Sequence, residues 1–397
     1  MKILIHSDEY YPTCAACTYR MKVFADTFSE LGDQVTVIAS SANKNGTEGK
    51  NPGRERVIYA PTIRMKKKTT VMRMLNNLSF AFTSVFAAMG AGKADVVITT
   101  SPPPLVSISG WLIAKMKGAK LVYDVRDIWP DVALEMNSFQ EGSFYCKVFR
   151  WITNFMYRHA DLVTTVSPGK VEKLRGRVGA DRDKVRLIAN GFDREVAKGV
   201  LDERVAEQYD LKKKFTCVYI GNIGLAQGLD CVLDIAEQTR HRDIQFLLFG
   251  KGAEKEKLEQ EAREKGLTNV RFCGVLDHEK VFTVLHYAKA SIIPLKNANM
   301  KDSIPTKVYE ALGLGCPVFL IANGDSCDIV AESGLGMSVS PEHKEAFAES
   351  FDQMIDSYEE INAHREHAEQ LMFHKYARQT IAAEFRKILD EEVAQKS

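Results

Sequence analysis

Asp302-Ser-Ile-Pro-Thr-Lys-Val-Tyr-Glu310 runs straight into Ala-Leu-Gly-Leu-Gly-Cys-Pro-Val318. A helix is expected to begin around Pro305, because a first helical turn tolerates proline, whose missing N–H has no intrahelical partner to lose there. Glycines close the helix, and the apolar run Pro317 to Ile321 reads as a strand. The N–H groups of the first turn, at Thr306 and Lys307, would face an approaching group with the helix dipole behind them, which suits an anion such as a diphosphate. The carboxylates Asp302 and Glu310 flank the turn, and an ionised carboxylate accepts hydrogen bonds only, as sugar hydroxyls require. The segment therefore predicts a nucleotide-sugar site.

Working outward, the same strand–turn–helix pattern fills the chain. Strands are expected at Lys2–His6, Gln34–Ala39, Val57–Tyr59, Val96–Thr99, Lys120–Asp124, Leu162–Val166 and Val185–Ile188. A second set follows at Phe215–Ile220, Ile244–Phe249, Val270–Cys273, Ala290–Ile293, Pro317–Ile321 and Met337–Val339. Helical patterns such as Tyr19–Leu31, Leu229–Gln238 and Glu254–Lys265 lie between them. Such alternation predicts an α/β fold of doubly wound parallel sheets, with ligands bound beyond the carboxyl ends of the strands. Both halves show it, so two Rossmann-like domains facing a cleft are expected. The first spans residues 1–193 and closes at Asn190-Gly-Phe-Asp193; the second spans 194–375. A terminal helix over 376–397 is expected to pack back on the first domain.

Length favours two domains, and a net charge of +1 argues against whole-protein attraction to nucleic acid. The eight cysteines are scattered among apolar runs and helices, a usage that fits a reducing compartment rather than a disulfide framework. The N-terminus turns polar at His6, too soon for a signal peptide. No stretch reaches the roughly 18 apolar residues of a membrane span. These features predict a cytoplasmic protein. One charge cluster stands out: Arg54, Arg56, Arg64, Lys66, Lys67, Lys68 and Arg73 against the single acid Glu55. It leads into the apolar-rich run Val71 to Met89. Arg64, Lys66, Lys67 and Lys68 would then make peripheral contact with an anionic membrane; a core helix behind a solvated loop is the other reading.

Further candidates sit at predicted strand ends. Gly221-Asn-Ile-Gly224 with Gln227 follows one strand, and Gly250-Lys-Gly252 the next. Their glycines fit close approach to a phosphate, though a plain strand-to-helix turn needs them equally. Asn222 and Gln227 offer side-chain donors. Arg126 and Asp127 end a first-domain strand, where Arg can neutralise a diphosphate and Asp can orient a hydroxyl or accept a proton; an Arg–Asp pair tying down a loop explains them too. Cys14 and Cys17 form Cys-x-x-Cys, but neither a second pair nor a His cluster accompanies them at zinc spacing, and lining the cleft is the expected role.

Together the Tyr-Tyr-Pro loop, Ser101-Pro-Pro-Pro, Arg126-Asp-Ile-Trp-Pro130, Asn190-Gly-Phe-Asp, Gly221-Asn-Ile-Gly and Asp302 through Pro317 resemble the retaining GT-B glycosyltransferases of the family-four group. The likeness is to bacterial enzymes that build O-antigen or capsule repeat units. The resemblance implies that Glu310 binds the donor ribose, Asp302 faces the transferred sugar, and the backbone around Ile304, Thr306 and Lys307 holds the diphosphate. It places Asp127 beside the sugar. It implies transfer of an N-acetylhexosamine or deoxy-aminosugar from a UDP-sugar to a lipid-linked saccharide, with retention, with no metal and with no cofactor beyond the donor. Three departures stand out. Asp302 replaces the family's usual Glu. Asn222 and Gln227 stand where Arg and Lys are usual, which makes Lys307 the substitute cation, with Arg126 and Arg20 behind it. Ala15 and Ala16 replace a Gly-Gly pair at the acceptor side. A UDP-sugar 2-epimerase of the same architecture, or a non-catalytic nucleotide-sugar-binding protein, would share these features.

Overall fold

The computed structural model describes residues 1–11, 16–43, 53–63, 70–135, 139–178 and 181–394. Among these residues thirteen strands form two wholly parallel sheets. The first contains β1 (Lys2–His6), β2 (Gln34–Ser40), β3 (Arg56–Ala60), β4 (Val96–Ser101), β5 (Lys120–Val125), β6 (Leu162–Thr165) and β7 (Val185–Leu187). The second contains β8 (Phe215–Ile220), β9 (Ile244–Phe249), β10 (Val270–Gly274), β11 (Ala290–Pro294), β12 (Val318–Ile321) and β13 (Gly336–Val339). Their spatial orders are β3-β2-β1-β4-β5-β6-β7 and β10-β9-β8-β11-β12-β13. Runs such as Val-Val-Ile-Thr-Thr-Ser in β4 are buried throughout, as expected for parallel strands covered by helices on both faces. Each order reverses direction once, between β1 and β4 and between β8 and β11. At such a reversal the flanking connections diverge and leave a crevice beyond the strand ends.

The chain divides into two compact units, residues 1–190 with the Arg378–Ala394 helix, and Gly191–Ala377. The expected divisions at 193 and 375 shift for a physical reason. Phe192 is a core residue of the second unit: its N–H donates to the Tyr376 carbonyl at 3.0 Å. Its ring also lies where a Cβ on Gly313 would come within 2.9 Å. In the first unit, the Arg378–Ala394 helix packs against the Ala16–Glu30 helix, with Phe385 edge-on to Phe24 at 5.2 Å. Arg386 bonds the buried Asp33 carboxylate through Nη2 at 2.9 Å.

Candidate functional site

The second unit's crevice is built from backbone before side chains. After β8 the Gly221 N–H donates to the Phe249 carbonyl, and the Ile223 N–H donates to the Lys251 carbonyl, both at 2.9 Å. The two glycine turns thus lie backbone on backbone. A Cβ on Gly250 would stand 1.8 Å from the Gly221 oxygen, and one on Gly252 2.0 Å from the Ile223 oxygen. For Gly250 and Gly252 the close approach in this structure is turn against turn. The loop after β11 joins them, the Lys296 N–H donating to the Ala226 carbonyl at 3.1 Å. Asn222 and Gln227 meet each other, Nδ2 to Oε1 at 3.4 Å. A Cβ on Gly224 would press on both.

Beside these turns the helix of the opening segment spans Thr306–Gly313, with Pro305 as its extended N-cap (φ −61°, ψ 135°) rather than inside the first turn. Thr306 and Lys307 are then the first two helical residues, whose N–H groups have no intrahelical acceptor. Ile304 and Asp302 precede them and are buried. Lys307 and Glu310, three apart, share a helix face.

Lys307 is held by groups the spacing did not suggest. Its Nζ donates to the Tyr219 hydroxyl at 2.9 Å and lies 4.2 Å from the centroid of that ring. The Tyr219 hydroxyl donates onward to the Asn222 carbonyl. Gly221, at φ +153°, leaves the space the ammonium occupies: a Cβ there would be 2.7 Å from Nζ. Burial brings the Lys307 ammonium down to about 8, Glu310 acting in the opposite direction. Burial also pushes the Tyr219 phenol up, so it stays protonated. The result is a partly desolvated cation, cradled by an aromatic face and a phenol, at the start of a helix. Such an arrangement stabilises negative charge arriving at that turn.

In the first unit, Arg126 and Asp127 do follow β5. The Arg126 Nε donates to Thr100 Oγ1 at 3.1 Å, and Nη2 donates to the Pro102 carbonyl at 2.9 Å, so the side chain braces the loop after β4. Burial opposes its charge, but Cys17, Asp127, Asp124 and Asp8 around it more than offset that. Asp127 is half-buried beside it. Arg20, expected behind a diphosphate, is instead committed internally. Its Nη2 pairs with Asp124 at 2.9 Å, with both side chains buried, and it also donates to the Ile188 and Ala189 carbonyls at 2.8 and 2.7 Å. Asp124 accepts further bonds from Thr100 and Thr164. Burial works against that carboxylate, and Arg20 overcomes it, holding the carboxyl below its usual range. Sequence reasoning missed Asp8, just beyond β1, which burial and then Glu9 push up to about 7 against the pull of Arg126.

The described residues open the Ala16–Glu30 helix at Ala16. Ala15, Cys14 and the basic run Arg64, Lys66, Lys67 and Lys68 lie outside the described residues. Cys17 is buried, its Sγ 3.6 Å from Ser7 Oγ. Among the described residues no group of three or more His, Cys, Asp or Glu is placed to hold a metal, and no helix is long and apolar enough to cross a membrane.

Two parallel-sheet units, the second with glycine turns after β8 and β9, match known proteins along nearly the whole length. Residues 202–392 match the family described as Glycosyl transferases group 1, and residues 19–191 match the Glycosyl transferase 4-like domain. The chain belongs to the GT-B glycosyltransferases of the family-four group. Among its relatives is WcaI of Escherichia coli (strain K12), named for glycosyl transfer in colanic acid biosynthesis. The two are 25% identical over 396 residues, covering 94% of this chain and 96% of that one. The fold is shared with the sucrose-phosphate synthase of Thermosynechococcus elongatus (TM-score 0.81, 17% identity, 99% of each chain). It is shared also with Anabaena HepE in complex with UDP-glucose (TM-score 0.74, 16% identity, 98% of this chain and 100% of that one).

Proposed function

We propose that this glycosyltransferase moves a sugar, an N-acetylhexosamine or deoxy-aminosugar, from a UDP-sugar to a lipid-linked saccharide at the cytoplasmic face of the plasma membrane, in surface polysaccharide synthesis. The observation that carries the reading is Lys307, held on the Tyr219 ring beside the first turn of the Thr306–Gly313 helix. A family member lacking the usual basic pair at Asn222 and Gln227 needs another cation for the leaving diphosphate, and Lys307 supplies it. Thr306 and the local N–H groups share that charge, Glu310 holds the ribose and Asp302 the moving sugar. The C1–O bond to the diphosphate breaks with its electron pair going to the diphosphate. The acceptor oxygen bonds to C1 on the same face, and the acceptor proton leaves with the diphosphate. No metal takes part in this reading. Asp127 and Arg126 orient the acceptor side. A UDP-sugar bound in the HepE structure and the polysaccharide pathway named for WcaI support the substrate class.

The test is incubation with UDP-GlcNAc and an undecaprenyl-diphosphate-linked monosaccharide. Free UDP with a lengthened lipid carrying the donor's anomeric configuration supports the proposal. ManNAc with UDP and no lengthened lipid identifies an epimerase. Binding of UDP-sugars without turnover across a panel of donors identifies a binding protein.

A further inference from the structure

Three helices, Thr70–Met89, Pro104–Lys117 and Phe144–His159, lie side by side on one face of the first sheet. Their inward residues, among them Phe80, Val106, Ile113 and Met156, pack into one core with that sheet. Their outward residues are unusually apolar. Along the first helix Val71, Leu75, Leu78, Phe82, Phe86 and Met89 are all exposed, Phe82 at 66%, and their spacing of three and four residues aligns them in a single stripe. Leu112 and Met116 continue the exposed apolar surface on the middle helix. On the third, Phe144 and Tyr145 are exposed, and Trp151 stands at 64%. Trp111 and Phe155, at 5.0 Å, join the second helix to the third.

Charge decides what such a surface meets. None of the three helices contains an aspartate or glutamate, while together they carry Arg73, Lys115, Lys117, Lys147, Arg150 and Arg158. Acids enter this face at its margin, with Glu172 on the neighbouring Pro168–Arg177 helix and Glu141 3.6 Å from Arg150. The helices of the opposite face, Ala16–Glu30 and Arg378–Ala394, instead mix both signs along their length. A second copy of this chain would bring cations against cations about a two-fold axis, which is unfavourable. A nucleic acid would leave Phe82, Phe86 and Trp151 without an apolar partner. An anionic lipid surface accepts both features, the rings entering at headgroup level and the ammonium and guanidinium groups facing lipid phosphates. We propose that the three helices form one broad docking platform for an anionic bilayer, extending well beyond the basic entrance to the first helix. The platform deepens the reading of a lipid-linked acceptor, yet binding to lipid does not itself depend on sugar transfer.

The experiment sediments the full chain with vesicles of phosphatidylcholine alone and with about a third phosphatidylglycerol. Salt-sensitive pelleting with the anionic vesicles is expected, with a blue shift of tryptophan emission that W151S removes. F82S/F86S should lower the partition coefficient about tenfold or more. W151S should lower it about threefold, and K115E/K147E should reduce binding to the level on neutral lipid, all with unchanged thermal midpoints. Pelleting no greater than without vesicles overturns the proposal. Loss in F82S/F86S alone, with W151S and K115E/K147E binding like wild type, reduces the platform to a single helix and overturns it too. A dimer that F82S/F86S converts to monomer assigns the surface to self-association instead. Transfer to a water-soluble short-chain acceptor is measured in parallel: if wild type shows none while vesicle binding holds, the transferase reading fails and the platform stands.

Discussion

Each unit sets a basic side chain against the carboxyl ends of its central strands, and the two are held in opposite ways. Arg20 in the first unit is buried and locked to Asp124, with two backbone carbonyls taking its remaining donors. Lys307 in the second unit leans on a phenol and a ring face, and burial brings it to about 8. A guanidinium paired inside a core has its charge already answered and serves stability. An ammonium whose hydrogen-bond and ring partners are neutral, with Glu310 acting on it only through space, keeps much of its attraction for an incoming anion. Removing one cation should therefore show in folding, and removing the other in catalysis.

The largest effect is expected for Lys307→Ala. Taking away the charge proposed to stabilise the departing diphosphate should lower kcat by roughly 10²–10³, with the thermal midpoint close to wild type. UDP release under saturating donor would show it, and turnover near wild type would break the contrast at its centre. Arg20→Met should do the reverse. Leaving Asp124 buried and unpaired costs about 3–5 kcal/mol, to be read from denaturant midpoints. A variant as stable as wild type would mean that the ion pair carries nothing.

A pH series sharpens the second half of the comparison. The folded Lys307 ammonium titrates below its ordinary value, so it is charged under about pH 8 and loses its proton as pH rises through that point. UDP affinity of the free enzyme should weaken by about tenfold between pH 7 and pH 9.5. Isothermal titration would test this, with Lys307→Met as the control whose profile stays flat. The smallest effect belongs to Tyr219→Phe. It keeps the ring beneath the ammonium and deletes one hydrogen bond, so kcat/KM should fall by about 3- to 10-fold. A loss as large as that of Lys307→Ala would mean that the hydroxyl itself meets the substrate.

The strand pattern was fully legible, because parallel strands buried on both faces read as plain apolar runs between helical periods; all thirteen expected strands have counterparts. Side-chain direction was not. Nothing in the spacing of Tyr19-Arg20-Met21 shows that the guanidinium turns toward Asp124, a hundred residues on and two strands away in the sheet. Tyr219 looked like one more strand residue; its position two before Gly221, next to a helix carrying a lysine, was the available signal. Lys307 could be singled out only by subtraction, from the neutral residues at 222 and 227. The glycines of Gly250-Lys-Gly252 were ambiguous because a phosphate and a neighbouring turn ask the same thing of them, a backbone without a Cβ.

The Arg378–Ala394 helix has a consequence for how the chain is made. It supplies Phe385 to the aromatic cluster of Phe24 and Phe28 and Arg386 to Asp33, yet it emerges from the ribosome only after the whole second unit. The unit synthesised first therefore stays incomplete until this helix, made after residue 377, reaches it. Clipping this helix should accordingly expose apolar surface on the earlier unit, where Phe24 and Phe28 would lose the ring of Phe385.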